Sequence, residues 1–186
     1  MEVLDAIAQA GQAQEALRRV DRVRLAVAPG SIFSIQQNVT TADDPAGEVR
    51  LRRFYSSEPD IPINGRKLKK LTPWSDRLFV QGMPFVGEGA DVLALHFDDY
   101  PQMRRFGVQS VINVPFMRQH QCFATFNVFG ARPCWLPQEI LALRLLALAA
   151  ASWVPITPGL HYVLDPAARP PSRPEASTLS VRHECE

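Results

Sequence analysis

Asn113, Thr125 and Asn127 are the residues whose types and spacing most directly offer chemistry. They lie in two apolar runs, QSVINVPFM and CFATFNVFG, separated by a short polar stretch around His120. If the runs are antiparallel strands with a turn centred on His120, Asn113 falls opposite Asn127, Pro115 opposite Thr125 and Val111 opposite Phe129. Alternation then puts Val111, Asn113, Thr125 and Asn127 on one face. The other face holds Ile112, Val114, Ala124, Phe126 and Val128 and has no polar side chain. That face demands an apolar partner, whereas the first offers amides and a hydroxyl. A buried amide left without a partner costs about 1–3 kcal/mol. Either a ligand or water in a pocket satisfies the pair, or the backbone of a covering segment does.

Other side chains extend the candidate site. Arg53, Arg66, Lys67, Lys69 and Lys70 can assemble an anion site, with arginine suited to carboxylate or phosphate through its planar fork. The plainer reading of the 66–70 run is a solvated basic loop. Alternation places Tyr55 on the side of Arg53, and Ser56 and Ser57 end that strand as possible pocket donors. A serine nucleophile needs a positioned base, and no histidine lies nearby in sequence, so no catalytic residue is assigned. Trp74 can wall a planar ligand or fill a core. Asp98 and Asp99 are adjacent and cannot face each other on a helix; an N-cap is the expected role. The four histidines lack metal-ligand spacing, so no metal site is expected. The three cysteines form no CxxC pair and are odd in number, and are read as reduced thiols. The expected ligand contacts are Asn113, Asn127, Thr125, Tyr55, Ser57, Arg53, Lys67 and Trp74, with the cofactor unknown.

The elements that must position these groups can be read along the chain. Helical spacing predicts a helix over 3–24, weakened at Gly11. Strands follow over 31–40 and 48–57, joined by the turn-forming TADDPAG. Residues 58–71 read as an irregular crossing. Thr72 is a good N-cap and Pro73 a good first helical residue. A brief strand over 84–86, helical turns over 91–97 and 101–106, strands over 109–116 and 121–129, and a helix over 137–153 complete the order. The expected organisation is one domain over 1–157 and a Pro-rich, disordered tail over 158–186. At 186 residues, 46% apolar and net charge +1, the chain can bury a core. It has no global field to recruit nucleic acid or a membrane. The start lacks signal-peptide features, and the apolar stretch 140–151 is shorter than the ~20 residues of a bilayer span. A cytoplasmic location is expected. The last helix is apolar nearly all round, as in a core or an oligomer interface. A homodimer through the first and last helices is the expectation, twofold pairing being the commonest form.

This order, and above all FGVQSVINVPFMRQHQCFATFNVFG, resembles a GAF domain. The segments Tyr55-Ser56-Ser57, Asn64-Gly65-Arg66-Lys67, Thr72-Pro73-Trp74, Phe97-Asp98-Asp99-Tyr100 and Gly107–Pro115 with Thr125–Asn127 resemble small stand-alone bacterial members of that family. The resemblance implies an α+β, profilin-like fold: an antiparallel sheet of five or six strands, terminal helices on one face and ligand-pocket segments on the other. It implies a small-molecule-binding sensory or regulatory module without an attached output domain. The chain departs from specialised members. It has no NKxnFxxxDE-like signature of cyclic-nucleotide binders, no bilin-attachment cysteine, and no cysteines placed as in the methionine sulfoxide reductases. Two other readings stand beside it: a small redox or hydrolytic enzyme on the same fold, and a ligand-free interaction domain.

Overall fold

The computed structural model of the protein describes residues 2–61 and 63–164. Two helices open the chain, α1 (Glu2–Ala8) and α2 (Ala13–Val27). The single helix expected over 3–24 is broken. Glycine within a helix costs about 1 kcal/mol relative to alanine, and at Gly11 the backbone N–H donates to the Glu15 carboxylate at 3.1 Å instead of continuing the ladder.

The strands are β1 (Ile32–Asn38), β2 (Glu48–Ser56), β3 (Arg66–Lys70), β4 (Phe85–Glu88), β5 (Ser110–Arg118) and β6 (Gln121–Gly130). They form one antiparallel sheet in the order β3-β2-β1-β6-β5-β4. Between β3 and β5 come the short helix α3 (Pro73–Ser75), a π-turn (Asp76–Val80), α4 (Ala90–His96) and α5 (Tyr100–Arg105); α6 (Pro137–Ala151) follows the sheet. The fold is α+β, as expected. The basic run 66–70 departs from expectation. It is the edge strand β3, paired with β2 from Glu48↔Lys70 to Arg52↔Arg66. Its inward positions are the cations Lys67 and Lys69 and its one apolar residue, Leu68, faces outward, which hides the strand from an apolar count. Lysines on an edge also discourage a further strand from adding there.

The β5–β6 register agrees with the expected one: Val111↔Phe129, Asn113↔Asn127 and Pro115↔Thr125. The turn itself is Gln119-His120, both at positive φ (47° and 66°), the signature of a two-residue hairpin turn. A bulge between Phe116/Met117 and Ala124/Cys122 leaves Phe123 without a partner and restores the register.

The sheet separates two apolar clusters. Behind it, Ile112, Val114, Ala124, Phe126 and Val128 pack with Phe33 and Ile35 against Leu17, Val20, Leu143, Leu146 and Ala147 of the helices. In front, Val49, Leu51, Val111 and Cys122 pack with Trp74, Leu78, Phe79, Phe85, Leu93 and Phe97. Residues 158–164, expected to belong to the tail, pack onto the domain. Tyr162 Oη donates to the Phe79 carbonyl at 2.8 Å and accepts from the Cys122 N–H at 2.7 Å, and Leu164 is buried. The rest of the expected tail, 165–186, lies outside the described residues, as does Cys185. Cys122 is a buried free thiol, whereas Cys134 is disulfide-bonded. That corrects the reading of three reduced thiols, since pairing depends on proximity in space and not on spacing in sequence.

Candidate functional site

The front face of the sheet carries two rows of side chains across neighbouring strands. One runs Asn113, Asn127, Ser34, Ser56 across β5, β6, β1 and β2; the next runs Thr125, Gln36, Arg53 across β6, β1 and β2. Together they floor a pocket of about 300 Å³. The edge strand supplies one wall, because its inward positions are Lys67 and Lys69. The opposite cover comes from Trp74 and from Phe97, Met103, Phe106 and Val108 of the α4–α5 region.

Trp74 is placed by a local device. Thr72 and Ser75 form a reciprocal capping box, with the Ser75 N–H donating to Thr72 Oγ1 at 3.2 Å and the Thr72 N–H donating to Ser75 Oγ at 2.7 Å. Ser75 Oγ also donates to the Lys70 carbonyl at 2.7 Å, tying this helix to the end of β3. The indole so held donates from Nε1 to Asn113 Oδ1 at 2.9 Å. Asn113 Nδ2 donates to Asn127 Oδ1 at 2.7 Å, and Asn127 Nδ2 donates to Thr125 Oγ1 at 3.1 Å. The two amides are therefore satisfied from within the protein, by each other, an indole and a hydroxyl. Phe97 and Phe79 meet the indole edge-on, with centroids at 5.5 and 6.1 Å, the preferred aromatic geometry.

The charged wall is asymmetric. Lys67 Nζ pairs with Asp99 Oδ2 at 2.5 Å. Burial pushes the Asp99 carboxyl up, but the hydrogen bond and charge of Lys67, with Lys69 behind, outweigh it and hold the carboxyl below its ordinary value. Lys69 Nζ lies 5.3 Å from the Trp74 ring centroid, a cation–π contact. Burial pushes its ammonium below the usual lysine value, with the Asp99 charge opposing. Burial likewise lowers Arg53, again opposed by Asp99. Asp99 opens α5 as expected, but its side chain makes no capping bond; the carboxylate is turned to Lys67.

Of the expected contacts, Asn113, Asn127, Thr125, Arg53, Lys67 and Trp74 line one pocket. Tyr55 and Ser57 do not. The pairing Ile35↔Tyr55 followed by Gln36↔Arg53 leaves Phe54 as an extra residue on β2. Past this bulge the alternation changes sides. Tyr55 consequently points behind the sheet, where its ring meets Phe33 at 5.3 Å and its hydroxyl donates to Asp21 at 3.1 Å. Ser57 Oγ accepts from the Phe33 N–H at 2.8 Å. Ser56 takes the pocket position. Sequence reasoning also passed over Ser34, Gln36, Asp60, Asp99 and Met103 as pocket residues. The first two were legible, since they alternate with Phe33 and Ile35 along β1.

Among the described residues the lining contains hydroxyls, amides, cations and two carboxylates, but neither histidine nor cysteine. His96 packs its ring 5.0 Å from Phe85, where burial lowers its basicity. Burial pushes the Cys122 thiol up to about 12, so it holds no appreciable thiolate near neutral pH. Among the described residues no group of acidic, histidine and cysteine side chains is arranged to hold a metal ion, and no helix is long and apolar enough to cross a membrane.

No protein-family profile and no curated protein matches the chain. Solved structures do. The GAF domain of a phosphoenolpyruvate-protein phosphotransferase from Coxiella burnetii superposes with a TM-score of 0.62 at 13% identity, over 81% of this chain and 87% of that one. A far-red cyanobacteriochrome photoreceptor gives 0.58 at 13% identity, over 81% and 90%. The chromophore-binding domain of a bacteriophytochrome from R. palustris gives 0.55 at 9% identity over 81% of this chain; the match spans 58% of that domain structure and 35% of the longer bacteriophytochrome structure. At these identities the likeness is one of fold. The chain has a GAF-like fold, with a polar-floored pocket on the front of its sheet.

Proposed function

We propose that the protein is a sensory module that binds a small molecule in the pocket on the front of the sheet. The carrying observation is that two polar rows, one ending in Arg53, and the basic wall of Lys67 and Lys69 converge on a cavity with an aromatic and thioether cover. A few placed polar groups within an apolar enclosure are the usual make-up of a ligand site. The cavity of about 300 Å³ stands at the small end of the ~300–1,000 Å³ range of ligand pockets. It suits a metabolite-sized molecule rather than an extended chromophore. Sensory roles among the photoreceptor structures of the same fold favour this reading, and so does a thiol too basic for nucleophilic work at Cys122. Mass spectrometry of small molecules released on denaturing the purified protein tests it. A stoichiometric compound absent from an Asn113→Leu/Asn127→Leu variant is expected; equal yields from both proteins refute it.

The working unit in this reading is a homodimer. Leu141, Leu145 and Leu148 are 59, 55 and 71% exposed, and their i, i+4, i+7 spacing makes one stripe along α6. A second copy of the same stripe would cover it across a twofold axis. Light scattering on the wild type and on a Leu141→Gln/Leu145→Gln/Leu148→Gln variant checks this: twice the monomer mass, then a single one. A monomeric wild type at micromolar concentration refutes it.

A further inference from the structure

The pocket's unused polar groups define what would fill it, and this step rests on the reading of the pocket as a ligand site. Gln36 is more than nine-tenths buried, lines the pocket, and has no hydrogen-bond partner for its Oε1 among the described residues. Lys69 also lines the pocket and is half-buried. Its ammonium rests against the Trp74 ring and has neither a hydrogen bond nor an ion pair among the described residues. Lys67, by contrast, already holds Asp99. The remaining hydrogen-bonding capacity of the floor is limited, since the Asn113–Asn127 pair is engaged with Trp74 and Thr125.

We infer that the pocket selects a small monoanionic carboxylate carrying a hydrogen-bond donor, with its carboxylate on Lys69 and its donor delivered to Gln36 Oε1. The charge follows from the lining, which sets Arg53, Lys67 and Lys69 against Asp60 and Asp99. One positive charge is left over, which one carboxylate neutralises and a doubly charged phosphate monoester overshoots. The donor follows from Gln36, because a carbonyl oxygen can only accept. Arg53 is the cross-strand partner of Gln36, and Lys67 lies one alternate position from Lys69 on β3. The cationic wall thus continues from the amide to the ammonium. A carboxylate without the donor leaves Gln36 Oε1 stranded, and a neutral molecule leaves Lys69 without its counter-charge. The depressed basicity of Lys69 agrees with a cation seated away from water, where burial outweighs the opposing charge of Asp99.

Thermal-shift screening followed by calorimetry tests the inference on four matched classes. These are small hydroxy- and amido-carboxylates (with 3-hydroxybutyrate, 4-hydroxybenzoate and N-acetylglycine among them), their O- or N-methylated counterparts, their neutral methyl esters, and phosphate monoesters such as glycerol 3-phosphate. The first class is expected to contain the binders. Lys69→Met keeps the stem of the side chain and should weaken them ~10- to 100-fold, the range for a hydrogen bond to a charged group. Gln36→Leu should erase the preference for the first class over the second. Lys70→Met, on the outward side of β3, should change nothing. Tighter binding by the neutral esters or the phosphates, or undiminished binding in folded Lys69→Met, overturns the inference while leaving a ligand-binding pocket. Absence of binders from all four classes counts against both this inference and the proposed function.

Discussion

Replacing Trp74 by Phe probes the hydrogen-bonded chain that holds the pocket floor to its cover. The ring is 5% exposed and its Nε1–H supplies Asn113 Oδ1 at 2.9 Å. Phenylalanine keeps an aromatic ring but removes that donor, in a place where the Asn113 side chain is also buried. The stranded acceptor costs about 1–3 kcal/mol and the smaller ring roughly another 1 kcal/mol in lost packing. A total of about 2–4 kcal/mol corresponds to a melting temperature lower by roughly 5–15 °C for a chain of this size. Urea unfolding of Trp74→Phe, Asn113→Leu and the double variant supplies the decisive comparison. Asn113→Leu alone strands both the indole N–H and Asn127 Oδ1. The double variant no longer has the indole donor to strand, so it should be less unstable than the sum of the singles by ~1 kcal/mol or more. A Trp74→Phe loss below ~0.5 kcal/mol, or a strictly additive cycle, would show that water serves these atoms as well as they serve each other.

The hairpin turn is a place to gain stability. Gln119 and His120 sit at positive φ, so Gln119→Asn/His120→Gly should add about 1 kcal/mol and raise the melting temperature by ~2–4 °C; no rise would contradict the turn geometry. Cys122 should resist thiol reagents in the native state at pH 8. Its folded pKa, about 12 against an ordinary 9.0, means that the unfolded chain loses this proton first. The contribution of Cys122 to stability is therefore full below pH 9 and declines as pH rises toward 12. Urea midpoints from pH 8 to 11 should fall more steeply for the wild type than for Cys122→Ala. Tyr55→Phe should cost about 0.5–1.5 kcal/mol through the lost bond to Asp21. It should leave ligand binding unchanged, because the ring lies behind the sheet; weakened binding would place Tyr55 at the pocket after all.

Much of this architecture follows from alternation. Phe33 and Ile35 against Ser34 and Gln36, and Ile112 and Val114 against Asn113, announce a sheet with a greasy back and a polar front. The same reasoning located the Asn113–Asn127 pair and its neighbour Thr125. It faltered where the period changes without a compositional mark. Nothing in RRFYSS distinguishes a bulge at Phe54 from a regular strand, so Tyr55 was assigned to the wrong face. In RKLKK the alternation is between cations facing the cavity and residues facing water, and an apolar pattern cannot show it. The helix start before Trp74 is legible through its cap, since Thr72-Pro73 carries its own local geometry, whereas the choice between pocket wall and core is not. Its bond to Asn113 joins positions distant in sequence, and no local signal encodes it.

The two bulges have a consequence for how the strands divide their residues. A regular strand gives half of its side chains to each surface, but at a bulge two neighbours turn the same way. Phe54 beside Tyr55, and Phe123 beside Ala124, both do so on the side of the helices. Each irregularity thus adds one aromatic ring to the rear layer without adding or removing a cavity residue. A one-codon deletion at either phenylalanine would thin the support behind the sheet while preserving the roster of side chains in front. Tolerance to deletion at these two places therefore measures how much rear packing the cavity needs to keep its shape.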